Sequence, residues 1–247
     1  MACAWVRCYA ELNAFLPPEI RYQTFAWRFD VSPAVKAVVE GLGIPHTEVD
    51  LILINGAPAG FGDPVRDGDR VAVYPMFEAI DITPVARLRP APLRVTRFVL
   101  DVHLGRLAAY LRMAGFDTVY GPDFADADLA RISRDERRIL LTRDKGLLMR
   151  NAVTHGYLVR SPASRTQLAE VLERFDLRRA VAPFRRCLRC NEELQELDRA
   201  EAAGRVPPAI ARRYFAFREC PRCGRVFWTG THHQRMRELL RGAQGQG

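Results

Sequence analysis

Apolar residues recur along the chain with two periods, and the switches between them mark its elements. Residues 5–9 form a short apolar strand, and Phe25, Trp27 and Phe29 share one face of an alternating strand. A helix follows, with Ser32 placed to cap it, Pro33 at its first position, Val35, Val38, Val39 and Leu42 as its apolar stripe, and Gly43 as its stop. A strand over 51–54 runs into the turn pair Asn55-Gly56, and Asp67-Gly68-Asp69 launches another over 70–74. The order β, β, α, β, β describes a compact α+β unit.

The helix stripe, Asn55-Gly56 and the stretch DGDRVAVYP resemble the β-grasp sulfur-carrier and ubiquitin-like proteins. Sulfur carriers of that kind end in a free Gly-Gly, whereas this chain continues through Pro75-Met76-Phe77-Glu78. The resemblance therefore implies an interaction or docking role, with a protein partner, rather than carrier chemistry.

Residues 82–96, with Pro84, Pro90 and Pro92 among Arg87, Arg89 and Arg94, read as an extended linker. The pattern then changes to alternating strand and helix. A strand over 97–100 ends at Asp101, and a helix with Leu104, Leu107, Ala108 and Leu111 inward stops near Gly115. A strand over 117–120, a helix capped by Asp126 with Leu129 and Ile132 inward, and a strand over 138–142 come next. The last strand lies near 157–159, and Ser164 with Gln167 forms a capping box for a helix that buries Leu168, Val171, Leu172 and Phe175. Four such alternations predict an α/β domain with a parallel sheet and helices on both faces.

In open α/β sheets the functional crevice lies beyond the carboxyl ends of the strands, where Asp101 and Asp144 fall. Asp126 opens a helix, so three carboxylates converge if their strands are neighbours. Hard oxygen ligands of this kind suit Mg²⁺ or Mn²⁺, and Asp123 and Asp128 are reserve candidates. An Asp after a strand also serves as a cap or turn former, which alone would explain Asp126. Arg143 and Lys145 either contact substrate phosphate or form a solvated turn, and His103 reads as a local hydrogen-bonding group.

RFVLDVHLGRLAAYLRMAGFDTVY, DADLARISRDERRILLTRDKGLL and the two cysteine pairs after them resemble the PIN-like RNase family named after the Mut-seven C-terminal domain. The likeness spans about residues 97–240. It implies a PIN-like three-layer α/β/α domain with a parallel sheet, ribonuclease activity, and metal ligation by Asp101, Asp126 and Asp144. Members of the family also carry a ubiquitin-like domain in front, which fits residues 1–81. The implied layout is a multidomain chain of α+β and α/β parts: β-grasp domain 1–81, linker 82–96, nuclease domain 97–180, zinc ribbon and tail 181–247.

Cys187-Leu188-Arg189-Cys190 and Cys220-Pro221-Arg222-Cys223 are two C-x-x-C pairs separated by 29 residues. Each spacing lets two thiolates approach one tetrahedral ion, so the four predict a structural zinc site in a ribbon. Four thiolates fill the zinc shell and leave no position for a catalytic water. Two disulfides are the main alternative, disfavoured in a reducing compartment, and neither pair opens a helix in the thioredoxin context. The long spacer implies a helical or loop insertion around 192–213. Cys3 and Cys8 read as small apolar residues.

Charge refines the picture. The net charge is +8, but residues 1–81 hold 6 Lys+Arg against 11 Asp+Glu, and the remainder 31 against 18. A basic C-terminal part suits an anionic partner such as nucleic acid, although lysines occur only at 36 and 145, so genomic base composition is a competing explanation of the arginine count. After residue 180 there are 13 Lys+Arg against 7 Asp+Glu, and His232, His233 and Arg235 either meet RNA phosphate or cap a short helix. No apolar run approaches the roughly 20 residues of a membrane span, and the start lacks the pattern of an export signal, so a cytoplasmic location is expected. A dehalogenase-type phosphatase would need an Asp where His103 stands, and no phosphate-binding glycine loop is present. The leading expectation is a metal-dependent ribonuclease; the alternative is an inactive nucleic-acid-binding adaptor.

Overall fold

The computed structural model describes residues 1–75, 88 and 95–245, with the side chains of Thr231, His232 and Gln244 left out. Most of the linker expected at 82–96, including Pro84, Pro90, Pro92, Arg87, Arg89 and Arg94, lies outside the described residues. In chain order the elements are β1 (Ala2–Cys8), β2 (Phe25–Phe29), α1 (Val35–Gly41), β3 (Val49–Ile54), β4 (Ala57–Ala59) and β5 (Arg70–Pro75). Next come β6 (Arg97–Leu100), α2 (Gly105–Ala114), β7 (Asp117–Tyr120), α3 (Asp126–Asp135), β8 (Ile139–Thr142), α4 (Lys145–Leu148) and β9 (Gly156–Leu158). The rest is α5 (Ser164–Arg174), β10 (Gln195–Leu197), α6 (Arg199–Ala203), α7 (Pro208–Arg213), β11 (Phe217–Glu219), β12 (Val226–Trp228) and α8 (Thr231–Gln244). These group into two compact units, Met1–Val95 with Asp126–Leu158, and Thr96–Ala125 with Val159–Gly247.

In the first unit a five-stranded sheet has the order β2-β1-β5-β3-β4. β1 and β5 pair in parallel and the other neighbours are antiparallel. This is the β-grasp arrangement. Alternate residues Ala4, Val6 and Cys8 of β1 face a core shared with Val35, Val38 and Val39 of α1 and with Ile52, Val71 and Val73. Each fully buried valine or isoleucine among them contributes about 1.5–3 kcal/mol. The Asn55-Gly56 pair adopts φ of +53° and +83°, the left-handed pair of a tight hairpin turn, and joins β3 to β4.

Ser32 does not cap α1. Its hydroxyl donates to the Val65 carbonyl at 2.7 Å, and Val65 N donates to the Pro33 carbonyl at 2.8 Å, which holds 32–34 extended and delays the helix to Val35. Gly43 ends the turn after α1 at φ +78°, as its position predicts. In the same unit β8 and β9 pair in parallel, flanked by α3 and α4. This segment binds the β-grasp part through buried polar contacts. His46 Nε2 meets the Val153 carbonyl at 2.8 Å, its Nδ1 meets Glu40 Oε1 at 2.8 Å, and Leu158 N donates to Glu48 Oε1 at 2.6 Å.

In the second unit β6 and β7 pair in parallel, and α2 and α5 pack together. Phe98 is fully buried and meets Phe116 and Phe175 edge-on, at centroid distances of 6.1 and 5.9 Å. Gly115 ends α2 at φ +102°, and a Cβ there would lie 2.2 Å from the Ala182 carbonyl oxygen, so both conformation and space demand glycine. The capping box at Ser164 and Gln167 does not form. The N-cap is Ala163, which places Ser164 inside the helix, and Gln167 Nε2 turns back to the Ser161 carbonyl at 2.8 Å. β10, β11 and β12 form an antiparallel sheet of that order, with α6 and α7 in the spacer where an insertion is expected.

Candidate functional site

The two C-x-x-C segments have matching backbones. Asn191 N donates to the Cys187 carbonyl and Gly224 N to the Cys220 carbonyl, both at 2.9 Å. Cys187 N and Cys220 N bond the carbonyls of Glu192 and Arg225, so each knuckle is a closed turn. Asn191 and Gly224 occupy the same left-handed position, φ +68° and +66°. That turn aims the thiols of both pairs at one point: the four sulfurs lie within 4.8 Å of one another. Cys187 and Cys223 sulfurs are 3.8 Å apart, matching the edge of about 3.8 Å for thiolates about 2.3 Å from a tetrahedral ion.

The surroundings of the four thiols differ. Cys223 is lowered to about 7, chiefly by the backbone N–H of Arg225, whereas burial and its cysteine neighbours push Cys190 up to about 12. Burial raises Cys220 as well. One cation is what allows all four to be thiolates together.

Arg112 and Asn191 tie the first knuckle to the rest of its unit, and neither role is visible from spacing. Arg112, 6% exposed on α2, donates from Nη1 to the carbonyls of Leu188 and Arg189, both at 2.9 Å, and from Nε to Thr118 O at 2.9 Å. Asn191 Oδ1 accepts from Thr118 N at 2.9 Å, and its Nδ2 donates to Asp117 Oδ1 at 2.6 Å.

The three aspartates divide between the units. Asp101, buried, follows β6 and heads a short 3-10 turn in which Leu104 N bonds its carbonyl at 2.9 Å. Tyr120 Oη donates to the Val102 carbonyl at 3.1 Å and braces this turn; a Cβ on Gly105 would come within 2.7 Å of that hydroxyl. His103 is exposed.

Asp126 and Asp144 belong to the other unit. Asp126 opens α3 with its carboxylate 3.2 Å from Arg150 Nη2, both side chains about half exposed. Asp144 follows β8 and caps α4: its Oδ1 accepts from Gly146 N at 2.7 Å, and its own N–H donates to buried Thr142 Oγ1 at 2.9 Å. Arg143 and Lys145 are exposed, with Lys145 Nζ 5.6 Å from the centre of the Phe15 ring. Asp123 is exposed, and Asp128 pairs with Arg131 at 3.4 Å.

At the C-terminal end, residues 231–244 form a helix of 14 residues, longer than the short one expected. The His233 ring lies against Phe184, tilted by 33° with centroids 3.8 Å apart, and Arg235 is exposed. The side chain of His232 lies outside the described residues. Burial and the charge of Arg237 lower the pKa of His233.

Parallel strands followed by aspartates, a four-cysteine ribbon behind them and a β-grasp domain in front define a multidomain α/β protein. Family models agree: the Mut7-C RNAse domain matches residues 96–240, and the Mut7-C ubiquitin domain matches residues 1–81. The chain belongs to the Mut7-C RNAse domain family. No curated protein and no solved structure matches it. Family membership supports a nuclease-type function, and the ubiquitin-like domain is a candidate for protein interaction. The four cysteines can hold a metal ion. Among the described residues, no helix is long and apolar enough to cross a membrane.

Proposed function

We propose that the chain is a divalent-metal-dependent ribonuclease that hydrolyses RNA phosphodiester bonds, with Asp101, Asp126 and Asp144 as its acidic ligands. The observation that carries this reading is the match of the Mut7-C RNAse domain to residues 96–240. Two further features support it. Asp101 and Asp144 each follow the carboxyl end of a strand in a parallel pair, where α/β domains bear their chemistry. The donors are hard carboxylate oxygens, and Mg²⁺ or Mn²⁺ is the ion such oxygens select.

When bound, such an ion polarises the phosphodiester and lowers the pKa of a water. The chain's own contribution is to present the carboxylates. The Gly146 amide and the Thr142 hydroxyl fix Asp144, the Arg150 pair holds Asp126 until a cation competes for it, and Arg143 and Lys145 offer positive charge to phosphate. Zinc in the cysteine site would be structural, residues 181–247 would help bind substrate, and residues 1–81 would dock a protein partner. The segments 1–81, 82–96, 97–180 and 181–247 are the corresponding division of labour, in a cytoplasmic setting.

A second reading has its own observation. Asp126 is already paired with Arg150 and Asp144 already caps α4, as they would be in an inactive nucleic-acid-binding adaptor. A cleavage assay on single-stranded RNA, structured RNA and matched DNA, with Mg²⁺, Mn²⁺ or EDTA, separates the two. The ribonuclease reading expects RNA cleavage that EDTA abolishes and that Asp101→Asn and Asp126→Asn reduce at least a hundredfold. RNA binding without cleavage under every metal condition favours the adaptor.

A further inference from the structure

A cleft of about 560 Å³ opens in the second unit, lined by residues of β10, β11, β12 and α8 and by the segment at Phe184. Its size is that of small-ligand sites, roughly 300–1,000 Å³. Six aromatic side chains line it: Phe184, Phe215, Phe217, Phe227, Trp228 and His233. Phe215 is 71% exposed, with the Arg199 guanidinium 4.1 Å from its ring centroid.

Phe184 is the most informative of these. Its backbone is left-handed, φ +61°, a conformation that bulky residues rarely adopt and that persists where the surroundings impose it. Phe184 N donates to the Met113 carbonyl at 3.0 Å, and its carbonyl accepts from Arg218 Nη1 at 3.2 Å. The result is a ring held against His233, with planes 33° apart. Charge adds a second argument. Arg186, Arg218 and Arg237 line the cleft against a single carboxylate, Glu196. Arg186 is occupied by the Asn191 carbonyl and one amino group of Arg218 by the Phe184 carbonyl, while Arg218 and Arg237 are both exposed.

Stacking faces beside arginines are the chemistry of unpaired bases on a phosphate backbone. We propose that this cleft takes an unpaired nucleobase of single-stranded RNA against the Phe184 and His233 rings, with the flanking phosphates on Arg218 and Arg237. The choice of RNA rests on the ribonuclease reading. The cleft thereby gives that activity a substrate-holding subsite, formed by the ribbon and α8, that selects unpaired strands.

Binding by the full-length, metal-loaded chain tests this without requiring cleavage. Fluorescence anisotropy, with no added Mg²⁺ or Mn²⁺, compares a labelled 12-residue oligouridine with an abasic ribose-phosphate strand of equal length and charge. The expected result is at least tenfold tighter binding of the oligouridine. Phe184→Leu and His233→Ala should each weaken it about five- to tenfold, in keeping with the loss of one stacking face, and leave the abasic strand unchanged. Arg237→Ala should weaken both strands alike. If Phe184→Leu alters the circular dichroism spectrum, His233→Ala decides. Equal affinity for the two strands, or ring substitutions that change neither, overturns the cleft. Base-dependent binding in a chain that cleaves nothing with Mg²⁺ or Mn²⁺ supports the cleft and sinks the ribonuclease reading; cleavage accompanied by base-blind binding does the reverse.

Discussion

Arg112 holds Leu188: the guanidinium on α2 donates to the carbonyl in the middle of the first C-x-x-C turn at 2.9 Å. The same side chain reaches Arg189 and Thr118, so the knuckle and the end of β7 share one buried donor. Arg112→Met keeps the stem and removes every donor, leaving three carbonyls to find water. Chemical denaturation should show a loss of about 2–3 kcal/mol. Competition against a chromophoric chelator should show metal affinity falling about tenfold or more, as for other groups that orient ligands. Unchanged metal affinity would mean that Arg112 serves packing alone.

The cysteine site should be decisive for its ribbon and neutral for the β-grasp part. Zinc contributes on the order of 10 kcal/mol to ordering such sites. Elemental analysis of the wild type should find one zinc per chain. Cys187→Ser should lose it and expose residues 181–230 to limited proteolysis, with the first 75 residues still protected. Retention of a full equivalent of zinc by Cys187→Ser would contradict the four-thiolate assignment.

Asn191 and Gly224 offer a paired test, because both are left-handed and only Asn191 bonds through its side chain. Gly224→Ala should cost about 1–2 kcal/mol from conformation. Asn191→Gly relieves that constraint yet loses both bonds to β7, so it should still destabilise, by about 1–2 kcal/mol. Thermal melts of the two variants measure the comparison.

His46 makes the first unit sensitive to acid. Burial, then the charge of Lys36, lowers its pKa, against the opposing bonds to Val153 and Glu40. The unfolded chain therefore binds the proton more readily than the folded one. The stability linked to His46 is complete above its ordinary value of 6.5 and is lost as pH falls through the lowered value. Urea midpoints between pH 8 and 5 should drop more steeply for the wild type than for His46→Gln; parallel profiles would remove His46 as the cause.

Features that depend on local spacing were legible in the sequence. Asn55-Gly56, Gly115 and the paired C-x-x-C turns each need a particular backbone shape, which few residue types supply. Helix starts were less legible: Ser32 and Ser164 have the chemistry of caps, but Val65 and Ala163 show that a nearby carbonyl or a one-residue shift redirects them. β4 carries no strand signal, because Ala-Pro-Ala has none of the β-branched or aromatic residues that mark one. The buried bonds of Arg112 depend on the fold, since its partners Leu188 and Arg189 come from a distant stretch of chain. The same holds for the aromatic cleft, whose rings come from three stretches of chain. Of the acidic residues, position after a strand was readable for Asp101 and Asp144, whereas the pairing of Asp126 with Arg150 depends on the fold.

In the ribonuclease reading aspartate charge, and not only aspartate shape, supports RNA cleavage. Asp144→Asn separates the two, since asparagine keeps the oxygen that caps α4 through Gly146 N. The most direct measurement is the single-turnover rate of this variant on single-stranded RNA with Mg²⁺ or Mn²⁺, alongside its melting temperature. The melting temperature should stay close to wild type with cleavage reduced at least a hundredfold; wild-type cleavage by a folded Asp144→Asn chain would remove Asp144 from the catalytic site.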